Sequence, residues 1–223
     1  TGRYCNIRFI HAAADGPQVD IYVNQVQMIS AVQYSELTEY FMVRSGQTVV
    51  TIRQTEGGQV VNQTSFLLEN GGLYTVAIVN SAAGIALYLM EDVACNKSVY
   101  NSCIRVANLT NQAPALDIIM NEGRTLFSNV RFLDVTDYKQ ISPGTYDFGA
   151  ARSGGCQTLP QIQPRRAVQI IPIVIGETCR QEVFVTAQRT IERDRVYTMY
   201  IIGNAYSQPY MNMILAESYF DSY

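Results

Sequence analysis

IRFIHAAADGPQVDIYVN, Ile7 to Asn24, is written a second time as IRVANLTNQAPALDIIMN, Ile104 to Asn121. Ile7, Arg8, Pro17, Asp20 and Asn24 meet Ile104, Arg105, Pro114, Asp117 and Asn121 at one offset of 97. The offset is 98 where VQYSELTEY (Val32 to Tyr40) meets VRFLDVTDY (Val130 to Tyr138), and again where Gly46 meets Gly144. It is 123 where Leu68-Glu69 and Tyr74-Thr75 meet Ile191-Glu192 and Tyr197-Thr198. A drifting offset of this kind means one unit used twice, with an insertion of about 25 residues late in the second copy. The expected organisation is a first domain over residues 1–94, a linker over 95–102 and a second domain over 103–223, with the insertion at about 152–181. Each unit is large enough to bury a core of its own.

Within the unit the signal is β. Val19, Ile21 and Val23 share one face while Asp20 and Tyr22 share the other, the period of two that a half-buried strand requires. Cys5 to Ala12 alternates only imperfectly before the turn signal ADGP. Further runs fall at Tyr40 to Arg44, Thr48 to Gln54, Gln59 to Leu68, Leu73 to Asn80 and Ile85 to Glu91, separated by Gly- and Asn-rich turns. The second copy repeats them through Leu116 to Asn121, Leu126 to Val130, Tyr138 to Ile141, Thr145 to Ala151 and Met211 to Glu217. About seven short strands per unit predict an all-β chain of two tandem sandwiches, immunoglobulin-like or transthyretin-like. Inside the insertion, Ala167 to Ile175 reads as a very apolar strand that Pro172 confines to an edge or bulge.

A net charge of −3 with scattered charges offers no basic stripe for nucleic acid. No apolar run approaches the ~20 residues of a membrane-spanning helix. The first residues, TGRYCNIRF, show neither an initiator Met nor a signal-peptide core, as a processed or trimmed form would. Lys stands only at Lys97 and Lys139, which leaves few of the charges that guard strand edges against pairing with another chain.

Cys5, Cys95, Cys103, Cys156 and Cys179 form no C-x-x-C pair and have a single His beside them, which argues against zinc and for disulfides. Their connectivity is open; Cys95 and Cys103 flank the junction, Cys156 and Cys179 lie in the insertion, and Cys5 is the odd one, suited to a bond with another chain.

Candidate chemistry is thin. A nucleophile-His-acid arrangement would have to use His11, with Cys5 or a Ser as nucleophile and Asp15 or Asp20 as orienter. The second copy has Asn108 at that place, so a polar side chain that bonds the following turn is the better reading. Arg8 with Asp20, and Arg105 with Asp117, keep one separation in both copies. They are read as structural, either as Arg-carboxylate pairs or with the Asp accepting turn amides. Asp15, Asp20 and Asp117 lack the clustered oxygens of a calcium loop. No catalytic, cofactor or metal residue is therefore expected, and no cofactor.

On the residues Ile7, Arg8, Phe9, His11, Ala12, Pro17, Val19, Asp20, Ile21, Tyr22, Val23 and Asn24, and on LENGGLYTVAIVN (Leu68 to Asn80), the chain resembles the bacterial family termed domain of unknown function 4397. The likeness covers most of residues 5–92 and, more weakly, 103–217, where the His-Ala step is missing. It implies exported tandem β-sandwiches without an established catalytic activity, set in an extracellular or bacterial cell- or spore-surface location. Two functions are then expected. The first is a structural protein that associates with itself through strand edges, with Ile170, Ile171, Ile173, Val174, Tyr219, Phe220 and Tyr223 as assembly candidates. The alternative is an adhesin or binding module for carbohydrate or protein.

Overall fold

A computed structural model describes residues 3–121, 123–155 and 181–220. Among them the chain is all β. The first copy supplies β1 (Tyr4–His11), β2 (Val19–Val23), β3 (Val26–Val32), β4 (Phe41–Arg44), β5 (Gly46–Gln54), β6 (Val60–Leu68), β7 (Leu73–Ser81) and β8 (Gly84–Glu91). The second supplies β9 (Ser102–Asn108), β10 (Leu116–Met120), β11 (Arg124–Val130), β12 (Lys139–Ile141), β13 (Gly144–Arg152), β14 (Val183–Ile191), β15 (Val196–Ile202) and β16 (Asn212–Glu217). The expected strand Ala167 to Ile175 lies outside the described residues.

The strands form four four-stranded sheets, and the order repeats: β4-β1-β7-β8 with β3-β2-β5-β6, then β12-β9-β15-β16 with β11-β10-β13-β14. β1 runs parallel to β7 and β9 parallel to β15; the other strand pairs are antiparallel. Each copy closes on its own core. In the first, Ile7, Phe9, Ile21, Val50, Ile52, Tyr74, Val76 and Ile78 pack between the sheets; in the second, Ile104, Val106, Leu116, Ile118, Phe148, Tyr197, Met199 and Ile201 do so.

A third apolar cluster joins the copies. Ile10, Ala12, Ala77, Val79 and Met90 of the first meet Ala107, Leu109, Tyr200, Ile202 and Ala216 of the second. The sheets that carry β1 and β9 thus lie between the two outer sheets, which carry β2 and β10, and they are covered on both faces. This explains the imperfect alternation of the opening strand: Ile7 and Phe9 face the core while Arg8 and Ile10 face the seam, so both parities are buried. β7, β9 and β15 are buried along nearly their whole length for the same reason.

The seam carries charge as well as oil. Arg8 (3% exposed), Arg105 (4%) and Asp92 (2%) are buried together. Asp92 Oδ1 accepts from Arg105 Nη2 at 2.6 Å, and Oδ2 lies 4.0 Å from Arg8 Nη2 while accepting from Thr75 Oγ1 at 2.6 Å and Tyr40 Oη at 2.9 Å. The rest is close to two-fold. Arg8 Nε donates to Thr75 Oγ1 and Nη1 to the Glu217 carbonyl; Arg105 Nε donates to Thr198 Oγ1 and Nη1 to the Glu91 carbonyl. Arg8 stacks on Tyr40 at 4.4 Å and Arg105 on Tyr138 at 4.9 Å. The symmetry fails at two places: Tyr200, whose hydroxyl accepts from Arg8 Nη2, is matched by Ala77 in the first copy, and the residue after Glu91 is Asp92 but the residue after Glu217 is Ser218. One carboxylate therefore serves two guanidiniums. Burial by itself would lower the Arg8 pKa, but Tyr200, Tyr40 and Asp92 around it raise it overall, so the group stays ionised.

The expected Arg8–Asp20 and Arg105–Asp117 ion pairs do not form. β1 and β2 belong to different sheets of the sandwich, so the turn between them carries the chain across the core rather than to a neighbouring position. Each Asp instead clamps a bulge on an edge strand. Asp20 Oδ1 accepts the Ala31 amide at 2.8 Å and the Thr55 hydroxyl at 2.9 Å, and Asp117 Oδ1 accepts the Asn129 amide at 2.9 Å. Ala31 and Asn129 have φ of 60° and 56°, at the register shifts of β3 and β11. Bulges twist an edge away from foreign strands, the task for which Lys is scarce here.

Removing the shared carboxylate leaves two buried guanidiniums without a counter-ion. Asp92→Asn is expected to cost about 3–5 kcal/mol in urea unfolding. A loss below about 1 kcal/mol would show that the seam does not depend on this charge.

Candidate functional site

Cys5 is 1% exposed, in the core of the first sandwich, with its thiol directed at the Val43 carbonyl. This corrects the expectation of a bond to another chain, because the side chain points between the sheets. Cys95 and Cys103 are bonded to each other, with Cα atoms 6.4 Å apart. The bond pins the connection between the copies to β9. Cys156, Cys179, Ile170, Ile171, Ile173, Val174 and Tyr223 lie outside the described residues. Tyr219 and Phe220 are exposed.

His11 is fully buried, and its Nε2 donates to the Pro17 carbonyl at 2.9 Å. Asn108 does the matching work in the second copy, accepting the Thr110 amide and donating to the Val130 carbonyl. His11 Nδ1 has no hydrogen-bond partner among the described residues. Burial therefore lowers the His11 pKa, against the weaker opposing effects of the Pro17 carbonyl, its own backbone and Glu36. A substrate has no path to this imidazole, and it is a fold residue. Asp15 is held by Asn80, while Asp20 and Asp117 stand in the outer sheets of different sandwiches, so the three do not gather around a cation.

The internal repeat acts as a built-in control. Residues present in both copies, such as Arg8 and Arg105, Asp20 and Asp117, Thr75 and Thr198, or Thr38 and Thr136, all prove to hold the fold. A side chain placed on a surface in one copy alone has no such duty. One cluster stands out by this test. On the outer sheet of the first sandwich, Tyr22 of β2, Val49, Thr51 and Arg53 of β5, and Gln63 of β6 line an open cleft of about 540 Å³ together with Asn24 and Gln25. The register places Tyr22 opposite Thr51, and Thr51 opposite Gln63. Their counterparts in the second copy are Ile119, Gly149 and Thr186, and Ala151 replaces Arg53. Asn24 recurs as Asn121, which accepts the Asp147 amide as Asn24 accepts that of Val49, and so belongs to the fold.

The cleft is polar with one aromatic ring. Arg53 Cζ lies 5.6 Å from the Tyr22 ring centroid, and Arg53 Nη1 donates to the Gly58 carbonyl at 3.2 Å. Asn24 Oδ1 accepts the Val49 amide at 2.8 Å, and Gln63 Oε1 accepts from Thr51 Oγ1 at 3.2 Å. Sequence reasoning had put Tyr22 on the outward face of its strand. It could not join Thr51, Arg53 and Gln63 to it, because that needs the pairing of β2, β5 and β6.

Two tandem β-sandwiches locked through their inner sheets define the class of protein. The chain belongs to the family described as Domain of unknown function (DUF4397), whose model matches residues 5–119 and again 102–218. No curated protein matches. Among solved structures, the chain aligns with CBMbc of family CBM26 from Eubacterium rectale Amy13K, crystallised in complex with maltoheptaose. That alignment covers 99% of each chain at 8% identity and a TM-score of 0.25, too slight a likeness to bear on function.

The buried imidazole sets a pH dependence. With the folded pKa below the ordinary value of about 6.5, the unfolded chain binds the proton more readily. Stability is full above about pH 6.5 and falls as pH drops through the folded pKa. His11→Asn is expected to remove this component of the acid-side slope of the melting temperature between about pH 7 and pH 5; an unchanged slope would place the sensitivity elsewhere.

Proposed function

We propose that this protein is a non-catalytic binding module whose first sandwich recognises a carbohydrate on its outer sheet. The observation that carries the reading is the cleft around Tyr22. It sets an aromatic ring among amide, hydroxyl and guanidinium groups on rigid strands, and it occurs in one copy of a repeat that duplicates its structural residues. A sugar has an apolar face for the ring and hydroxyls for the polar groups. Strands hold such groups more precisely than loops do. In this reading the second sandwich buttresses the first through the seam.

The reading includes an extracellular or bacterial cell- or spore-surface location, which the Cys95–Cys103 disulfide favours because such bonds persist in oxidising compartments. Self-association through strand edges has less in its favour. β3 and β11 are bulged, β4 and β12 are short, Lys139 sits on β12, and Cys5 is buried. Among the described residues, the exposed Tyr219 and Phe220 and the long edge strands β6 and β14 speak for it.

Affinity electrophoresis and calorimetry against a panel of polysaccharides test the proposal. Tyr22→Ala, on a half-buried position of an intact sheet, is expected to weaken binding at least about tenfold, or about 1.4 kcal/mol, with an unchanged unfolding midpoint. Full binding in that variant would move the site away from the outer sheet.

A further inference from the structure

The charge of the cleft is not balanced: a guanidinium lines it with no carboxylate beside it in the lining. The protein itself consumes the side-chain acceptors of two of the polar groups: Asn24 Oδ1 takes the Val49 amide, and Gln63 Oε1 takes the Thr51 hydroxyl. What remains for a ligand includes the Asn24 Nδ2 and Gln63 Nε2 groups and most of the Arg53 fork as donors, beside acceptor positions on Thr51 and Tyr22. Among the described residues, Arg53 is the one charged side chain that lines the cleft. Its cross-strand partner by register, Asp20, is turned to the Ala31 amide and the Thr55 hydroxyl, and Arg53 has no ion pair among the described residues. The Tyr22 ring and the Gly58 carbonyl hold the guanidinium in place, so little ordering remains for binding.

From this held guanidinium without an ion pair, and resting on the carbohydrate reading above, we infer that the ligand is an acidic glycan whose uronate carboxylate binds Arg53. A planar guanidinium matches a carboxylate with two parallel hydrogen bonds, and flanking amide donors meet the neighbouring ring oxygens. A neutral sugar can accept from these donors but brings no charge to set against the guanidinium. The second copy, with Ala151 in place of Arg53 and Ile119 in place of Tyr22, offers no equivalent.

The test compares uronate oligosaccharides, built on galacturonate, mannuronate or glucuronate, with their methyl esters, which keep the sugar and remove the charge. Calorimetry on the full chain is expected to show at least one acid bound tenfold or more tightly than its ester. Its affinity should fall with added salt. In Arg53→Gln the acid should drop to the level of the ester, while Arg53→Lys should retain part of the difference, since it keeps the charge and loses the fork. Equal binding of acid and ester, abolished by Tyr22→Ala, would overturn the inference and leave the carbohydrate site standing. Binding that survives in Tyr22→Ala, or no binding of any glycan, would overturn both. An acid preference that persists undiminished in Arg53→Gln would place the carboxylate elsewhere and overturn the inference alone.

Discussion

Asp92 holds two arginines, one from each copy of the repeat, in a place that water does not reach. Isolated buried guanidiniums are costly, and a single carboxylate offsets that cost only because other acceptors surround them. Here Thr75, Thr198, Tyr200 and the carbonyls of Glu91 and Glu217 share the task. The fold follows from this constraint. Arg8 and Arg105 can be buried only if the two inner sheets face each other, and once they do, Ile10, Ala77, Val79, Ala107, Tyr200 and Ile202 close the seam around them. The inner sheets become interior on both faces, and the outer sheets are what each copy is left to show.

That arrangement also divides labour between the copies. Arg8 and Arg105, and Thr75 and Thr198, recur because both halves of the seam need them, and Asp20 and Asp117 recur because each copy has its own bulge to clamp. The outer faces are under no such rule and differ: Tyr22, Thr51, Arg53 and Gln63 on the first stand against Ile119, Gly149, Ala151 and Thr186 on the second. At Gly149 a Cβ would come within 2.9 Å of Ile119 Cγ1, so no side chain of the Thr51 kind fits there without a shift.

Much of the fold was legible in the repeat and the period of two, as Val19, Ile21 and Val23 show. The failures have physical causes. The strand Val26–Val32 was passed over because its bulge at Ala31 breaks the alternation that marks a strand. An Arg8–Asp20 pair stood as one of two readings because a short connection suggests adjacent strands, whereas β1 and β2 face each other across the core. The other reading, an Asp that accepts backbone amides, is nearer, with the amide that of Ala31. Asp92 stands just ahead of the expected linker and belongs to no motif; its role depends on a partner from the other copy, and no local pattern reports that. The binding cleft was legible only as an outward Tyr22, since strands distant in sequence assemble the rest. The internal repeat was the signal that could have found it, through the positions where the two copies disagree.

Differential scanning calorimetry tests the locked seam most directly. If the shared carboxylate fuses both sandwiches into one cooperative unit, the chain melts in a single transition whose calorimetric enthalpy equals its van't Hoff enthalpy. Two separable transitions, or a calorimetric enthalpy about twice the van't Hoff value, would show that the copies unfold independently and that the seam is only a contact between them.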